Sequence, residues 1–163
     1  MRIGHSKDVH QLVEGRPLIL GGVWIEHEKG LLGHSDADVL CHAVTESIIG
    51  ALGLGDMGRH FPDTDPDLEG VDSRHLLRET RILMEKSGYC LGNLDATIYA
   101  ERPKMAPHID QMRKNLANDL GVSLNQVNIK ATRGEKMGYI GREEGMGAEC
   151  VVLLERKAAA LFL

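Results

Sequence analysis

The residues of this sequence best suited to chemistry are Asp8 and His10, close to its start. The stretch 3–13 favours a β-strand, in which side chains two positions apart lie on the same face. A carboxylate and an imidazole on one face can bind a single cation, and the segment 34–42 offers candidates for a third ligand, His42 among them. Three nitrogen or oxygen ligands with one position left open are typical of a catalytic zinc site. The alternative is an ordinary surface aspartate beside a half-buried histidine on an edge strand.

The segment around His42 also has features of an anion site. Ser35 is suited to cap a helix that begins near it and runs to Leu52. Backbone N–H groups at a helix start bind phosphate, so a phosphate at Ser35 would lie near a metal at His42. Asp38 lies four residues before His42 and is predicted to accept the other ring N–H of this histidine. The alternative is that His34 and His42 are two solvent-facing histidines on a capped helix.

Two loops carry further polar residues. Residues 53–70 are rich in Gly, Asp and Pro, and their carboxylates and backbone N–H groups are suited to the hydroxyls of a polyol. A calcium loop is excluded there, because the required glycine and the closing glutamate are missing. Residues 132–147 form a Gly-rich loop after a predicted strand, an arrangement typical of phosphate binding, and Glu135 is suited to a divalent ion that bridges a diphosphate. Either loop could instead be a solvated surface.

The hydrophobic pattern predicts the elements that position these residues. Strands are predicted at 2–13, 18–25, 89–100, 127–131 and 148–154, and helices at 35–52, 72–88 and 105–120. The first two strands are predicted to pair as an antiparallel hairpin around a turn at 15–17. This order predicts an α+β fold, a single domain of residues 1–157 with one mixed β-sheet and helices on one face. The uncovered sheet face indicates self-association, and residues 158–163 are expected to be a tail without assigned function.

Composition limits the classes of partner. The chain has 163 residues, enough for one domain with a core and too few for two,. Its formal net charge is -5 and it carries no basic block, which argues against nucleic acid as a partner,. No apolar run reaches the length of a membrane span and no signal peptide precedes the first strand, so we expect a cytoplasmic protein without a membrane partner. Cys41, Cys90 and Cys150 are far apart, and we expect free thiols in a reducing compartment.

Four motifs, taken together and in order, resemble one enzyme family. They are R-I-G-H-x-x-D-V-H, H-S-D-x-D-V followed by His42, G-D-x-G-x-x-F-P-D-T-D, and K-A-T-x-x-E-K-x-G-x-x-G-R-x-E-G. From Arg2 to about Lys157 the chain is similar to the 2-C-methyl-D-erythritol 2,4-cyclodiphosphate synthase family. The resemblance implies a phosphorus–oxygen lyase of non-mevalonate isoprenoid synthesis that cyclises 4-diphosphocytidyl-2-C-methyl-D-erythritol 2-phosphate and releases CMP. It also implies a homotrimer with active sites between subunits, which uses Zn2+ and a second divalent ion, Mg2+ or Mn2+.

The resemblance further implies roles for individual residues. Zinc would be bound by Asp8, His10 and His42, and phosphate would be contacted by His34 and Ser35. The erythritol part of the substrate would lie against Asp56, Gly58, Phe61, Asp63 and Asp65. Cytidine and diphosphate would lie in a pocket of the neighbouring subunit, against Ala100, Lys104, Met105, Ala106 and Thr132. The second metal would be bound by Glu135, and Tyr139 and Arg142 would lie near the trimer axis.

One position departs from the family pattern. Many members carry a Thr-rich run after K-A-T, with a hydroxyl assigned to stabilising the transition state, whereas this chain has Arg133 followed by Gly134. The Arg133 side chain could neutralise phosphate charge or could point to solvent, and the sequence leaves both open. Two other functions are also left open: a zinc phosphoesterase that uses a metal-bound water, and a non-catalytic module that binds metal and cytidine nucleotides.

Overall fold

The computed structural model of this chain describes residues 1–157. Within them, strands lie at Arg2–Glu14 (β1), Leu18–Leu20 (β2), Val23–Ile25 (β3), Lys29–Leu31 (β4), Tyr89–Tyr99 (β5), Val127–Thr132 (β6) and Gly145–Arg156 (β7). Helices lie at Val39–Leu52 (α1), Met57–His60 (α2), Ser73–Lys86 (α3), Ile109–Leu120 (α4) and Gly138–Gly141 (α5), and 3-10 turns lie at Pro66–Leu68 and Leu124–Gln126. The predicted tail, 158–163, lies outside the described residues.

One mixed β-sheet organises the fold. Its strand order is β4-β1-β7-β5-β6, and all neighbours are antiparallel except β5 and β6, which are parallel. Strand β7 alternates, since Ala148 and Cys150 are buried whereas Val151 is 46% exposed. Helix α1 packs on the buried face, where Gly4 of β1 allows close approach because a Cβ there would lie 1.9 Å from the Ser47 carbonyl oxygen. The predicted α+β fold with one mixed sheet is confirmed.

The opposite face of the sheet is left open by the described residues. Ile3 and Val9 of β1 are 73% and 49% exposed, and their partners in the β1–β7 register place them on the same face as Val151. Exposed apolar side chains that share an uncovered face make it a candidate for contact with another chain. The positions of β1 that alternate with them, Asp8 and His10 included, point to the helix side of the sheet.

Helix α1 begins later than predicted. Asp38 is its N-cap, and its carboxylate accepts two backbone N–H groups of the first turn. The predicted start near Ser35 is wrong because Ala37 adopts a left-handed conformation, with φ of 60°, which interrupts any helix before it,. The Ser35 hydroxyl instead accepts the N–H of Ala37 within this separate turn. Gly53 ends α1 in a left-handed conformation, as predicted,.

The predicted strand at 18–25 is wrong in its middle. Gly21 and Gly22 adopt φ angles of 56° and 67° and turn the chain, so that β2 and β3 pair with each other. A two-residue hairpin turn favours paired glycines because both positions need a positive φ. The predicted pairing of the first two strands is also wrong, because β1 pairs with β4, which lies in a segment where no strand was predicted.

The remaining elements agree with the predicted ones, with shifts at their ends. Helix α4 begins at Ile109 and strand β7 at Gly145, and the loop 53–70 contains α2 and the first 3-10 turn. The three cysteines are free thiols, as predicted. Across residues 1–157, none of the helices combines the length and the apolar character that a membrane span needs.

Candidate functional site

The side chains of Asp8, His10 and His42 meet on the helix side of the sheet. Strand β1 presents Asp8 and His10 on one face, and α1 brings His42 over them from its first turn. Asp8 Oδ2 lies 3.0 Å from His10 Nε2 and 3.1 Å from His42 Nδ1, and the two nitrogens are 3.2 Å apart. These three potential ligand atoms form a nearly equilateral triangle, which we call the metal triangle.

Both histidine rings present a lone pair to the centre of the metal triangle. His10 Nδ1 lies 2.6 Å from the Leu32 carbonyl oxygen, which can only accept, so Nδ1 donates and, in the neutral ring, Nε2 is left without a proton,. The outer nitrogen of His42, Nε2, lies 2.9 Å from Ser73 Oγ and 3.0 Å from Ser35 Oγ. When this nitrogen donates, Nδ1 of His42 carries the lone pair. Lone pairs that face one another in this way repel, so the arrangement with neutral rings favours a cation between them, either a proton on one of the rings or a metal ion.

Electrostatics favour positive charge inside the metal triangle. Burial opposes the ionisation of Asp8, but its hydrogen bonds with His10 and His42 outweigh burial and hold the pKa of this carboxyl well below its usual range. Burial also disfavours charged His10, yet the hydrogen bond and the negative charge of Asp8 raise the pKa of this imidazole above its ordinary value. Both shifts mean that a cation is stabilised there.

The spacing of the metal triangle fits a tetrahedral ion such as zinc. Nitrogen and oxygen ligands bind zinc at about 2.0–2.1 Å, which places tetrahedral ligands about 3.3 Å apart. The separations of 3.0 to 3.2 Å therefore need only a small outward movement to admit the ion. Asp8, His10 and His42 would supply three ligands to such an ion, which would leave one of its four tetrahedral positions open,.

The predicted role of Asp38 is wrong. Its carboxylate is occupied by backbone donors, since it caps α1 and also accepts the N–H groups of Gly21 at 2.9 Å and Gly22 at 2.7 Å. The outer nitrogen of His42 is bonded instead by Ser35 and Ser73. Asp38 therefore holds the β2–β3 turn against the start of α1, and its carboxylate is bonded to backbone donors rather than to the histidine ring.

A cavity of about 290 Å³ lies beside the metal triangle, whose three residues form part of its wall. Four residues predicted to bind substrate also line it: His34, Ser35, Phe61 and Asp63. Five residues that the sequence did not single out complete the wall: Glu46, Met57, Leu68, Val71 and Leu76. The periodic pattern of apolar residues indicates only burial, so it could not distinguish a cavity wall such as Leu76 from the core.

Three of the residues predicted for the erythritol part lie outside this wall: Asp56, Gly58 and Asp65. Asp56 caps α2 by accepting the N–H of Arg59, and Asp65 caps the first 3-10 turn. The carbonyl oxygen of Asp65 lies 3.1 Å from His34 Nε2. These aspartates therefore shape the loop that borders the cavity.

A second cavity, of about 770 Å³, lies between the loop after β5 and the loop after β6. The residues predicted for cytidine, diphosphate and the second metal all line it: Ala100, Lys104, Met105, Ala106, Thr132 and Glu135. Arg133, whose role the sequence left open, lines it as well. Glu101 also lines it, and its carboxylate accepts the N–H of Gly134, which ties the two loops together. Gly134 itself is fixed by packing, because a Cβ there would lie 2.5 Å from the Gly141 nitrogen.

Glu135 and the metal triangle belong to different cavities. Among residues 1–157, the two cavities have no lining residue in common, so one chain does not bring Glu135 to Asp8. Tyr139, which is 37% exposed, and Arg142, which pairs with Glu144 at 2.8 Å, line neither cavity.

A second group of potential metal ligands consists of His27, Glu28 and Glu143. Arg102 donates to both carboxylates, at 3.0 Å to Glu28 and 2.9 Å to Glu143. The guanidinium already engages both carboxylates and offsets one of their two negative charges, and we assign no metal to this group.

Comparison with known proteins identifies relatives over nearly the whole chain. The YgbB family model matches residues 1–155. The 2-C-methyl-D-erythritol 2,4-cyclodiphosphate synthase of Geobacter metallireducens is 60% identical over 157 residues, which are 96% of this chain and 100% of the relative. The synthase of the same name from Burkholderia thailandensis is 58% identical over 98% of both chains.

A solved structure of a synthase with the same name also matches this chain. It is described as 2C-methyl-D-erythritol-2,4-cyclodiphosphate synthase in a CDP-bound form, and it matches with a TM-score of 0.87 and 36% identity. The match covers 94% of this chain and 100% of the solved one. By its sequence and its fold, the chain belongs to the YgbB family, that of the 2-C-methyl-D-erythritol 2,4-cyclodiphosphate synthases.

Proposed function

We propose that this chain converts 4-diphosphocytidyl-2-C-methyl-D-erythritol 2-phosphate to 2-C-methyl-D-erythritol 2,4-cyclodiphosphate and CMP, a step of non-mevalonate isoprenoid synthesis. The 2-phosphate attacks the β-phosphorus of the diphosphate, and CMP leaves. The observation that carries the proposal is the 60% identity to a protein of that name over 96% of the chain. We assign the activity to the domain 1–157, and the free thiols fit a reducing, cytoplasmic location,.

The metal triangle is our proposed zinc site. Bound zinc would supply a positive charge that offsets the repulsion between two phosphoryl groups and polarises a phosphoryl oxygen. His34 and Ser35 line the same cavity and are suited to orient the attacking phosphate. A phosphate oxygen is already charged, so no general base is required at His34.

The loop 56–65 is our proposed contact for the erythritol part. Phe61 and Asp63 lie in the wall of the zinc cavity, where the carboxylate can accept hydrogen bonds from hydroxyl groups,. Asp56, Gly58 and Asp65 lie outside this wall: Asp56 and Asp65 hold the loop through its caps, and Gly58 lies within α2. We propose that they act on the same part of the substrate, directly or through this loop.

The second cavity is our proposed site for cytidine and diphosphate. Ala100 and Met105 form a buried floor, 3% and 4% exposed, whereas Lys104, Thr132 and Glu135 are exposed at the rim. A buried apolar floor beside exposed charge suits a base with an attached diphosphate. We propose that Ala106 also contacts the nucleotide and that Glu135 binds Mg2+ or Mn2+ against the diphosphate. The CDP-bound form of a solved synthase supports a cytidine ligand.

We further propose a homotrimer in which the zinc cavity of one subunit meets the nucleotide cavity of its neighbour. Two observations support it: the separation of the two cavities in one chain, and the open sheet face with Ile3, Val9 and Val151. Tyr139 and Arg142 would lie near the axis of this trimer. The neighbour would bring the second metal to the reacting diphosphate, and well-oriented intramolecular attack can be worth roughly 7–11 kcal/mol.

The Arg133 side chain is 65% exposed and lies 3.6 Å from a Glu135 carboxylate oxygen. An ion pair so open to water holds its partner weakly. This supports the interpretation in which Arg133 points to solvent and does not stabilise the transition state.

Product analysis tests the proposed reaction. The purified protein, supplied with Zn2+ and Mg2+, is incubated with the cytidylyl substrate and followed by phosphorus NMR and chromatography. We expect equal amounts of CMP and cyclic diphosphate. Linear phosphate products would indicate a zinc phosphoesterase, and cytidine nucleotide binding without turnover would indicate a binding module; either result would overturn the proposal.

A further inference from the structure

The outer side of His42 leads into a buried chain of polar groups that the proposed reaction does not use. His42 is 6% exposed, and Ser73, the first residue of α3, is fully buried. Ser73 Oγ lies 2.9 Å from His42 Nε2 and also bonds Asp36 Oδ1. This series of hydrogen bonds therefore runs from His42, a potential metal ligand on α1, through Ser73 of α3 to the Asp36 carboxylate in the turn before α1.

The direction of each hydrogen bond in this chain follows from its last member. The Asp36 carboxylate can only accept, and it also accepts the backbone N–H groups of Asp38 at 3.0 Å and Ser73 at 3.2 Å,. The Ser73 hydroxyl must therefore give its single proton to Asp36. Its oxygen is left as an acceptor, so the N–H at Nε2 of His42 donates to it.

Ser35 alone would not fix the histidine ring. Its hydroxyl lies 3.0 Å from His42 Nε2, accepts the N–H of Ala37 at 3.1 Å, and retains a proton that it can direct either to the ring or to Ser73, 3.2 Å away. Because Asp36 takes the Ser73 proton, the Ser73 oxygen is available to accept from both Ser35 and His42. By accepting the Ser73 proton, Asp36 thus fixes the direction of the other hydrogen bonds in this series.

We propose that Asp36 and Ser73 are positioning residues that hold His42 in the tautomer with its proton on Nε2, so that Nδ1 is free to bind the metal. The inference rests on the proposed metal centre and does not depend on which reaction occurs there. Hydrogen bonds to the outer nitrogen of a metal-binding histidine fix its ring and its tautomer and strengthen it as a ligand. Neither Asp36 nor Ser73 lines the zinc cavity, so neither would touch the reacting groups.

The dissociation constant for Zn2+ tests the proposal, measured by competition with a chromophoric chelator. We expect Ser73→Ala to weaken zinc binding by about 10–100-fold. Ser47→Ala is the matched control, because Ser47 is also a fully buried helical serine, bonded to the Ala43 and Cys150 carbonyls and outside the cavity wall. The control should keep zinc affinity within about twofold of the unmodified chain, since it removes no partner of a ligand histidine.

A second readout examines the ring itself. Nitrogen-15 chemical shifts of the metal-free protein should show His42 protonated at Nε2, and Ser73→Ala should add a population protonated at Nδ1. Asp36→Asn keeps the size of the side chain and one acceptor oxygen, so we expect a smaller loss of zinc affinity than for Ser73→Ala. If Ser73→Ala does not fold, the zinc affinity of Asp36→Asn tests the proposal instead.

The proposal is overturned if either folded variant binds zinc as tightly as the control, or if metal-free His42 is protonated at Nδ1. Neither readout uses turnover. A failure of the proposed cyclisation would therefore appear in the product analysis and leave these measurements unchanged.

Discussion

The two cavities of this molecule differ in how completely one chain builds them. The metal triangle is drawn from β1 and α1 and braced by Leu32, Ser35 and Ser73, with ligand atoms already 3.0 to 3.2 Å apart. The larger cavity lies between two loops, and its predicted metal ligand, Glu135, has a side chain that is 70% exposed. The first site is organised in a single chain, whereas the second presents separate groups that still lack a common centre.

This difference predicts how each region responds to change. A buried, braced site loses its function when one member is removed, because the remaining groups have no other partners. An exposed group in a loop can be replaced by water or by a higher concentration of ions, so its loss is partial. The predictions below test this contrast, beginning with the largest expected effect.

The first prediction concerns His42→Ala. It removes one of three ligands, and we expect zinc affinity and turnover to fall together by more than about 100-fold, since loss of a ligand's partner alone costs about 10–100-fold. Zinc content by mass spectrometry and CMP release measure the two effects, and circular dichroism reports the fold. His75→Ala, at an exposed position of α3, is the control. Unchanged zinc content in His42→Ala would remove His42 from the site.

The second prediction concerns pH. The pKa of His10 is raised above its ordinary value of 6.5, so a proton occupies the metal triangle as the pH falls, and zinc must displace it,. We expect zinc affinity to rise by about tenfold per pH unit up to the raised pKa of His10 and then to level off, because one proton is displaced. Zinc titrations at a series of pH values measure this.

The same shift has a consequence for the metal-free fold. A raised histidine pKa stabilises the fold below its unfolded value of 6.5, and this contribution is lost as the pH rises through the pKa of the folded state,.

Zinc affinity that stays constant from about pH 5 to 7 would show that no imidazole proton competes with the metal.

The third prediction concerns Glu135→Gln. It removes the charge of an exposed ligand, and we expect the concentration of Mg2+ or Mn2+ needed for half-maximal turnover to rise by roughly tenfold, with zinc content unchanged. Steady-state rates across a metal titration measure it, and Glu79→Gln at an exposed position of α3 serves as the control. Loss of zinc in this variant would contradict the separation of the two cavities.

The smallest effect is expected for Arg133→Ala. Its side chain is 65% exposed, and we expect the rate to change by less than about twofold, or about 0.4 kcal/mol in barrier height,. A neighbouring control, Lys136→Ala, removes another cation from the same loop. A rate loss of more than about tenfold for Arg133→Ala alone would make the guanidinium a transition-state group.

Local signals predicted most of the fold. Helix α3 and the ends of α1 and α4 follow from a capping Asp72 and from Gly53 and Gly121, whose effects are confined to a few neighbours. The pairing of β1 could not be predicted, because register depends on contacts between distant segments and the decisive turn was a short Gly21–Gly22 pair inside an apolar run,.

The sequence predicted which side chains meet at the candidate metal site, but it did not predict the groups that hold them in place. The spacing of Asp8 and His10 places them on one strand face, and His42 entered as a candidate from a nearby segment and from the family resemblance. Ser73 bonds His42 across 31 positions of sequence, and no periodicity indicates such a contact. Asp38 was assigned to the histidine ring on helical spacing, but its role as N-cap directs the carboxylate to backbone groups.

The central claim is that an active site forms from the zinc cavity of one subunit and the nucleotide cavity of another. Mixing His42→Ala with Glu135→Ala tests it directly, at a Mg2+ concentration too low to sustain turnover by Glu135→Ala alone and with subunit exchange verified by mass spectrometry. In a mixed cyclic trimer some interfaces combine an intact zinc cavity with an intact nucleotide cavity, and equal mixing should restore about one quarter of the sites. We predict recovery of CMP release towards that level. A fully exchanged mixture that stays as inactive as its parents would show that each site lies within one chain.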